Sequence, residues 1–435
     1  MDIFSVLALI GGLALFLYGM DLMGDSLKKL AGGKLESILA SLTSTRFRGF
    51  LLGLVVTAVI QSSSATTVML VGFVNSGIMK LGQTISIIMG ANIGTTVTSW
   101  LLSTADIQGT ATLIKLLKPE SFTPILAVIG LLMTMTAKND KRRNTGSMLI
   151  GFAVLMFGMN AMGDAVEGLR DNESFTNILT MFSNNPIMGI LVGTIFTAII
   201  QSSSASVGVL QALALSCVIP YSTAIPVILG QNIGTTITPI ISAISGNTES
   251  KRVAASCLYI KMIGVIVVSV AFYLIHSVVG FAFMSEAVSA LEIAVIHTLF
   301  NILSTVILMP FCKLIEKLAI KTFPEKGKRE DDTFATLDDR FLSIPSFAVE
   351  KCKELVCDMA RISAETYRKA ASLVENFDPD VFEEIERLEG KVDKYEDKTS
   401  TYLIKIAAQQ LSSKDSREVT ELLHCIGDIE RISDH

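Results

Sequence analysis

The chain has 435 residues, of which 50% are hydrophobic, and its mean hydropathy is +0.54. This composition is typical of a membrane protein and excludes an ordinary soluble globular protein. Residues 1–324 contain 19 Lys and Arg with 15 Asp and Glu, whereas residues 325–435 contain 17 and 26. We therefore predict a membrane domain followed by an acidic soluble domain. The six cysteines are scattered, which indicates neither a disulfide framework nor a zinc site.

Apolar runs predict where the chain crosses the membrane. The seven predicted crossings are Ile3–Met20, Leu81–Leu102, Phe122–Ala137, Met148–Met162, Thr223–Ile244, Val253–Ile275 and Ala287–Pro310. Two more apolar runs, Gly49–Val74 and Pro186–Leu215, have polar centres, so each is predicted to form a re-entrant hairpin of two half-helices. The segment Asp21–Ser44 is predicted to lie at the membrane interface, and Lys138–Arg143 to form a basic loop.

One stretch of sequence occurs twice, at a spacing of 140 residues. Gly53–Leu101 aligns with Gly193–Ile241 without a gap, and 20 of the 49 positions are identical. Each copy has Gln-Ser-Ser-Ser inside one apolar run and Asn-Ile-Gly-Thr-Thr inside the next. Polar groups placed that deep in hydrocarbon need partners, because leaving them unsatisfied costs several kcal/mol each. A bound ion or polar solute is one such partner.

The distribution of Lys and Arg predicts the orientation of the chain. With the basic segment Lys138–Arg143 placed in the cytoplasm, twelve Lys and Arg of the membrane domain fall inside and three outside. The second copy is then antiparallel to the first, which is the inverted-repeat architecture of many secondary transporters. The predicted domains are residues 1–143, residues 144–312 with an extra span, a charged linker at 313–345, and a cytoplasmic helical domain at 346–435.

The repeated motifs supply groups for both an anion and a cation. Serines after each tip can cap the second half-helix, whose positive dipole end then favours an anion. Gln and Ser oxygens and open carbonyls suit a small cation, while Gly94 and Gly234 are predicted to let the next helix bend. The alternative is that these residues only permit close helix packing or a kink without a ligand. The candidate substrate and sodium ligands are Gln61, Ser62, Ser63, Ser64, Asn92, Thr95, Thr96, Gln201, Ser202, Ser203, Ser204, Asn232, Thr235 and Thr236.

Three isolated polar residues in the spans have less specific interpretations. Lys261 lies about two turns into a span, where we expect its side chain to snorkel to the interface, with phosphate contact as the alternative. His297 and Asn301 lie one turn apart on one helix face, which predicts a hydrogen bond between helices rather than ligand binding.

The acidic tail is predicted to form a three-helix bundle. Apolar residues at helical spacing place helices at Phe347–Leu373 and Val381–Leu411, and a third from about Ser416. Two ExxxD pairs each put two carboxylates on one helix face, which is typical either of a solvated acidic face or of a metal site. The four residues of these pairs are Glu389, Asp393, Glu430 and Asp434.

The duplicated motifs resemble those of the type II sodium–phosphate cotransporter family over about Ile3–Pro310. This resemblance implies that Gln61–Ser64, Gln201–Ser204 and the threonines of both Asn-Ile-Gly-Thr-Thr segments bind sodium and phosphate. The tail resembles the first three-helix half of PhoU-type phosphate regulators, which implies metal at the ExxxD pairs. Animal family members carry an Asp in a His-Asp-Cys-Phe-Asn helix that tunes charge stoichiometry, and the corresponding run here, His297–Asn301, has no acid.

We therefore predict an all-α polytopic membrane protein with two inverted repeats, each with a re-entrant hairpin and a broken helix, plus a soluble helical bundle. Its predicted function is sodium-coupled transport of inorganic phosphate across the plasma membrane. Sodium is the predicted co-substrate, with no organic cofactor, no enzyme activity and no nucleic-acid partner, and a homo-oligomer stays open. The alternatives are a phosphate exporter, a carrier of another small anion, or a non-transporting membrane phosphate sensor.

Overall fold

Helices make up every regular element that the structure describes. The computed structural model of the protein describes residues 3–31, 45–106, 119–166, 185–216, 219–324, 333–334, 336–343, 345–375, 377–409 and 411–435. The described residues divide into a compact membrane unit up to residue 324 and a compact C-terminal unit from residue 333. The predicted all-α class is confirmed for the described residues.

The membrane unit alternates long helices with pairs of shorter ones. Its helices in chain order are α1 (Ile3–Ala31), α2 (Arg46–Ile60), α3 (Ser63–Asn75), α4 (Leu81–Gly94), α5 (Thr96–Ser103), α6 (Pro119–Met135), α7 (Asp140–Val166), α8 (Pro186–Ile200), α9 (Ser203–Ser216), α10 (Tyr221–Gly234), α11 (Ile237–Ile244), α12 (Thr248–Val279), α13 (Ala290–Leu308) and α14 (Cys312–Thr322).

Six helical stretches among the described residues are long and apolar enough to cross a membrane. They are Ile3–Leu30, Leu81–Ser103, Asp140–Val166, Tyr221–Ile244, Thr248–Val279 and Ala290–Thr322. These stretches overlap six of the seven predicted crossings. The seventh, Phe122–Ala137, overlaps α6, which has 17 residues and falls among the shorter apolar helices.

Three predicted boundaries differ from the structure. Helix α1 continues without interruption to Ala31, so the break predicted after Met20 is wrong. Its last turns are supported by a hydrogen bond from Ser26 Oγ to the carbonyl oxygen of Leu22 (2.7 Å) and by an ion pair between Lys28 and Asp25 (2.9 Å). The remainder of the predicted interfacial segment, residues 32–44, lies outside the described residues.

The basic segment before α7 and the start of the predicted linker are also helical. Helix α7 begins at Asp140, and Asn139 Oδ1 caps it by accepting the N–H of Arg142 (2.8 Å), so most of the predicted basic loop lies in a first helical turn. Residues 313–322, predicted as linker, belong to α14. Most of the connection between the predicted crossings that end at Leu102 and begin at Phe122 lies outside the described residues.

Both polar-centred runs fold as hairpins. In the first, Thr57 Oγ1 lies 3.0 Å from Thr66 Oγ1, although nine residues of straight helix would separate them by roughly 13.5 Å. In the second, Thr197 Oγ1 lies 2.7 Å from Ser206 Oγ in the same way. The chain therefore folds back at each Gln-Ser-Ser-Ser, where one short helix ends and the next begins.

The first arm of each hairpin packs closely and in parallel against the kinked helix that follows. A Cβ atom added to Gly49 would lie 2.5 Å from Ser86 Oγ, and one added to Gly94 would lie 2.5 Å from the carbonyl oxygen of Leu54. The second copy repeats this approach, because a Cβ atom on Gly234 would lie 2.5 Å from the carbonyl oxygen of Thr194. These glycines permit close backbone contact between α2 and α4 and between α8 and α10.

The two copies contact each other through equivalent helices that run antiparallel. A Cβ atom on Gly12 of α1 would lie 3.0 Å from the carbonyl oxygen of Gly158 in α7, and one on Gly19 would lie 2.7 Å from that of Gly151. Near these helices the repeat offset is 139, because Met23-Gly24-Asp25 matches Met162-Gly163-Asp164. At this offset Gly12 corresponds to Gly151 and Gly19 to Gly158. Gly12 thus contacts the counterpart of Gly19, and Gly19 contacts the counterpart of Gly12. A two-fold axis perpendicular to the helices produces this exchange.

The C-terminal unit is a bundle of three long helices, as the sequence predicts. They are α15 (Pro345–Glu375), α16 (Pro379–Ala407) and α17 (Ser413–Asp434), and all three pack on one another. A short helical turn, Asp339–Ser343, precedes them, and Tyr402 Oη donates to the carbonyl oxygen of Asp338 (2.6 Å). Burial raises the pKa of Tyr402, which keeps this phenol protonated as a donor.

Candidate functional site

The two hairpin tips have the same local geometry. Gln61 and Gln201 end α2 and α8 in the left-handed region, with φ of 60° and 59°, and are the non-glycine residues with positive φ among the described ones. An L-residue in this region costs roughly 1–2 kcal/mol, so the surrounding structure holds both glutamines there. Ser62 Oγ then accepts the N–H of Ala65 (3.1 Å), and Ser202 Oγ that of Ala205 (3.2 Å), so both serines are N-caps.

The tips come together across the boundary between the two copies. Ser64 Oγ, in the first turn of α3, lies 3.4 Å from the carbonyl oxygen of Gln201 at the second tip. In the opposite sense, Ser204 Oγ of the second tip lies 3.3 Å from Thr95 Oγ1 and 3.4 Å from Thr98 Oγ1 of the first copy. Two helix N-termini, each with a positive dipole end, therefore meet among hydroxyl groups from both halves of the membrane unit.

The two glutamines differ in their surroundings. Gln61 is buried, and its Oε1 accepts a hydrogen bond from Thr98 Oγ1 (2.8 Å), while its Nε2 donates to the carbonyl oxygen of Ala58. Gln201 is exposed in the structure. Ser63 and Ser203, the first residues of α3 and α9, are both buried. The site is thus two-fold in backbone but asymmetric in side-chain contacts.

The Asn-Ile-Gly-Thr-Thr segments kink their helices without unwinding them. Only Thr95 separates α4 from α5, and its backbone is right-handed helical. The helices before the kinks end at Gly94 and Gly234, and a Cβ atom at either would meet the first hairpin arm, so these glycines permit close contact at the kink while their bending role stays a prediction. Thr96 and Thr236 Oγ1 donate to the carbonyl oxygens of Ile93 and Ile233, both at 2.8 Å.

The asparagines of these segments are buried beside the kinks. Asn232 Nδ2 donates to the carbonyl oxygen of Ile228 (2.9 Å) in its own helix. Asn92 is buried at the equivalent position of the first copy, and its side chain bonds to no other described residue. Of the predicted threonines, Thr95 reaches the opposite tip, whereas Thr235 Oγ1 donates to the carbonyl oxygen of Asn232 (2.8 Å).

Lys261 does not snorkel to the interface, so that expectation is wrong. Its side chain is 7% exposed and its Nζ donates a hydrogen bond to Thr235 Oγ1. Helix α12, which carries it, packs against α10, α11 and α13 as well as α3 and α4, so the lysine stem has no free path along a lipid-facing surface.

A second layer of polar contacts lies on α13. His297 Nδ1 lies 3.0 Å from Ser99 Oγ, which confirms the predicted hydrogen bond between helices. Asn301 Nδ2 instead donates to the carbonyl oxygen of His297 (2.8 Å) within the same helix. Gln211 Nε2 donates to the carbonyl oxygens of Ser99 (3.0 Å) and Ala290 (2.8 Å), which ties α9 to α5 and α13.

The C-terminal bundle brings together three of the four predicted metal-binding carboxylates. One oxygen each of Glu389, Asp393 and Asp434 lies within 4.8 Å of the others. Partial desolvation raises the pKa of Glu389, and the charges of Asp393 and Asp434 raise it further. Glu430 lies outside this group, although desolvation and then Asp434 also raise its pKa. Carboxylate oxygens at this spacing are suitable ligands for a divalent cation, and a solvated acidic face fits the same exposure.

Comparison with known sequences identifies the family. The sequence model described as Na+/Pi-cotransporter matches residues 15–164 and 154–292, so it covers both copies of the repeat. The chain belongs to the Na+/Pi-cotransporter family. The PhoU domain model matches residues 356–435, most of the C-terminal bundle of this family member. No solved structure matches the chain.

Three relatives show how far the similarity extends. "Uncharacterized protein YqeW" of Bacillus subtilis is 28% identical over 72% of this chain and 96% of its own length. "Putative inorganic phosphate export protein YjbB" of Escherichia coli K12 is 22% identical over 99% of this chain and 76% of its own length. "Sodium-dependent phosphate transport protein 2A" of Rattus norvegicus is 36% identical over 98 residues, which are 22% of this chain and 15% of that protein.

Two residues of this Na+/Pi-cotransporter family member stand at the site but are absent from the candidate ligands. Thr98 bonds to both Gln61 and Ser204, and its repeat identity with Thr238 already marks both threonines as sources of a hydroxyl group. Lys261 gave no comparable signal, because an isolated lysine near the end of an apolar run fits snorkelling equally well.

Proposed function

We propose that the protein carries inorganic phosphate across the membrane together with sodium, and that both bind between the two Gln-Ser-Ser-Ser tips. The observation that carries this proposal is the meeting of the tips, in which Ser64 approaches Gln201 and Ser204 approaches Thr95. Two helix N-termini, one from each copy of the repeat, favour an oxyanion at the point where they meet. Hydroxyl and carbonyl oxygens beside them are suitable ligands for sodium.

The proposal places the repeats in opposite orientations across the membrane. The antiparallel packing of α1 against α7 supports it, since both helices are long and apolar enough to span. A site between such repeats can open to one side and then the other by rocking of the two halves, which is the usual basis of alternating access. The excess of inward-facing Lys and Arg supports a cytoplasmic position for the C-terminal bundle.

Export of phosphate is a second candidate, because the relative that covers 99% of this chain is named for it. The relative named for sodium-dependent transport matches only 98 residues. The tip geometry supports binding in both cases and does not favour one direction, since the sodium gradient and the membrane potential set the direction of a coupled carrier.

Uptake of labelled phosphate into proteoliposomes tests the proposal. With an inward sodium gradient we expect the protein to accumulate phosphate above the equilibrium level, and with choline in place of sodium we expect this accumulation to disappear. Preloaded vesicles with an outward sodium gradient should lose phosphate in the same sodium-dependent manner. Empty vesicles are the control. Phosphate flux that is equal in sodium and choline would contradict sodium coupling, and absence of flux in every condition would contradict transport.

A further inference from the structure

The interior of the membrane unit contains two buried Lys or Arg side chains among the described residues, and both lie on α12. Arg252 is 5% exposed, forms an ion pair with Glu249 and donates from Nε to the carbonyl oxygen of Phe323 (2.8 Å). Lys261 is 7% exposed, and no carboxylate of the described residues forms an ion pair with it. Its ammonium donates a hydrogen bond to the hydroxyl of Thr235.

An ammonium buried without a counter-charge is costly, because desolvation removes its favourable interaction with water and a neutral hydroxyl returns little of it. Buried charges in membrane proteins are therefore usually paired, or they mark the path of a charged substrate. Arg252 satisfies the first condition. Lys261 does not, although it lies directly beside one of the two kinked segments.

The position of Thr235 links this ammonium to the tips. Thr235 is the repeat counterpart of Thr95, and Thr95 Oγ1 lies 3.3 Å from Ser204 Oγ of the opposite tip. The counterpart of Ser204 is Ser64, so the two-fold relation of the copies places Thr235 on the side of the first tip. Helix α11, which follows Thr235, packs against α3, the helix that begins at the first tip.

Among the described residues, the first copy has no equivalent cation in the helix that corresponds to α12. Helix α6, which follows the kinked helix of that copy, contains neither Lys nor Arg. Thr95 therefore has a serine hydroxyl as its neighbour where Thr235 has an ammonium. The charge is thus an asymmetric addition to an otherwise two-fold site.

We propose that Lys261 is a substrate-binding residue, the fixed cation that binds a phosphate oxygen beside Thr235 when the anion occupies the site between the tips. This inference rests on the proposed function and names a contact within the same site. The bound oxyanion supplies the counter-charge that Lys261 lacks. In return, the ammonium of Lys261 neutralises part of the negative charge of the phosphate. Lys261 is then one cation that is always present at the site, and bound sodium provides the remaining positive charge.

The test is binding of labelled phosphate to the purified full-length protein at saturating sodium, together with its melting temperature with and without phosphate. We expect Lys261→Met to weaken phosphate binding at least 30-fold and to abolish the phosphate-dependent rise in melting temperature. Without phosphate, the variant should melt at the same temperature as the unsubstituted protein or higher, because an unpaired buried charge has been removed. Lys261→Arg should retain binding within about tenfold, since it keeps the charge.

Lys251→Met is the matched control, because Lys251 lies on the same helix near its start and has no contact with Thr235. Phosphate affinity equal to that of the unsubstituted protein in Lys261→Met would overturn the inference while leaving the proposed function standing. A fall in the phosphate-free melting temperature without rescue of binding by Lys261→Arg would assign Lys261 a structural role and would also overturn it. Absence of phosphate binding by the unsubstituted protein would overturn both proposals.

Discussion

Replacing Ser204 by Ala is expected to reduce sodium-driven phosphate uptake by about 10- to 100-fold, because a hydrogen bond to a charged group contributes ~1.5–3 kcal/mol. Ser204 Oγ is the group of the second tip that reaches both Thr95 and Thr98 of the first copy. The substitution removes one oxygen and leaves the packing volume almost unchanged. Initial rates of labelled phosphate uptake in proteoliposomes, corrected for the amount of folded protein, measure the effect.

Ser206→Ala is the matched control for this experiment. Ser206 lies two residues further along α9, is fully buried, and accepts the hydroxyl of Thr197 inside its own hairpin. Its loss should lower the melting temperature more than the transport rate of the folded protein. If Ser204→Ala transports normally, the hydroxyls at the tips are packing groups and the proposed site is wrong.

Replacing Gly19 by Ala is expected to destabilise the membrane unit by roughly 3 kcal/mol or more, because overpacking a closely packed contact forces the backbone apart. A Cβ atom on Gly19 would lie 2.3 Å from the backbone nitrogen of Leu155 in α7, a contact that side-chain rotation cannot relieve. The two copies meet at this point, so their separation should also disturb the tips. We expect a lower melting temperature and less monodisperse protein in detergent.

Gly11→Ala provides the control within the same helix. No atom lies within 4 Å of a Cβ atom at Gly11, so alanine there should be neutral or slightly stabilising because of its higher helix propensity. The two Gly→Ala substitutions are eight residues apart in one helix. Opposite changes in melting temperature would show that the effect at Gly19 comes from helix packing and not from helix propensity. Equal melting temperatures for the two variants would contradict the close contact between α1 and α7.

The hairpins could be predicted from the sequence because hydrocarbon makes a polar centre in an apolar run informative. The polar side chains of Gln61 and the three serines after it needed hydrogen-bond partners in the membrane interior. A helix break at a shared polar site was the simplest way to provide them. The same pattern in the second copy supported the prediction independently. It aligned Thr57 with Thr197, each of which bonds to the other arm of its hairpin. The left-handed backbone of both glutamines was not predictable, since tertiary contacts rather than local preference hold it.

The direction of a long side chain accounts for the wrong prediction at Lys261. Lys261 has a stem long enough to reach either the interface or the interior, and only the packing of helices around α12 decides between them. The close contact of Gly94 with α2 was not predicted, because it depends on the position of that helix. Glu389 and Asp434 belong to different helices, so their proximity depends on how the C-terminal bundle packs.

We propose that the two tips reach one site from opposite sides of the membrane. Thr45 and Asn185 occupy equivalent positions 140 residues apart, each directly before the first arm of a hairpin, and both are exposed. Single cysteines at these positions, in a background that lacks the six native ones but retains uptake, can be probed with a membrane-impermeant thiol reagent on whole cells.

We expect Asn185→Cys to be labelled from outside and Thr45→Cys to be labelled only after the membrane is permeabilised. The positive-inside distribution of Lys and Arg and the antiparallel packing of α1 and α7 both lead to this result. Labelling of both cysteines from the outside of intact cells would mean that the hairpins enter from the same side. The two helix N-termini could then not converge on one anion from opposite sides of the membrane, and the proposed transport mechanism would be wrong.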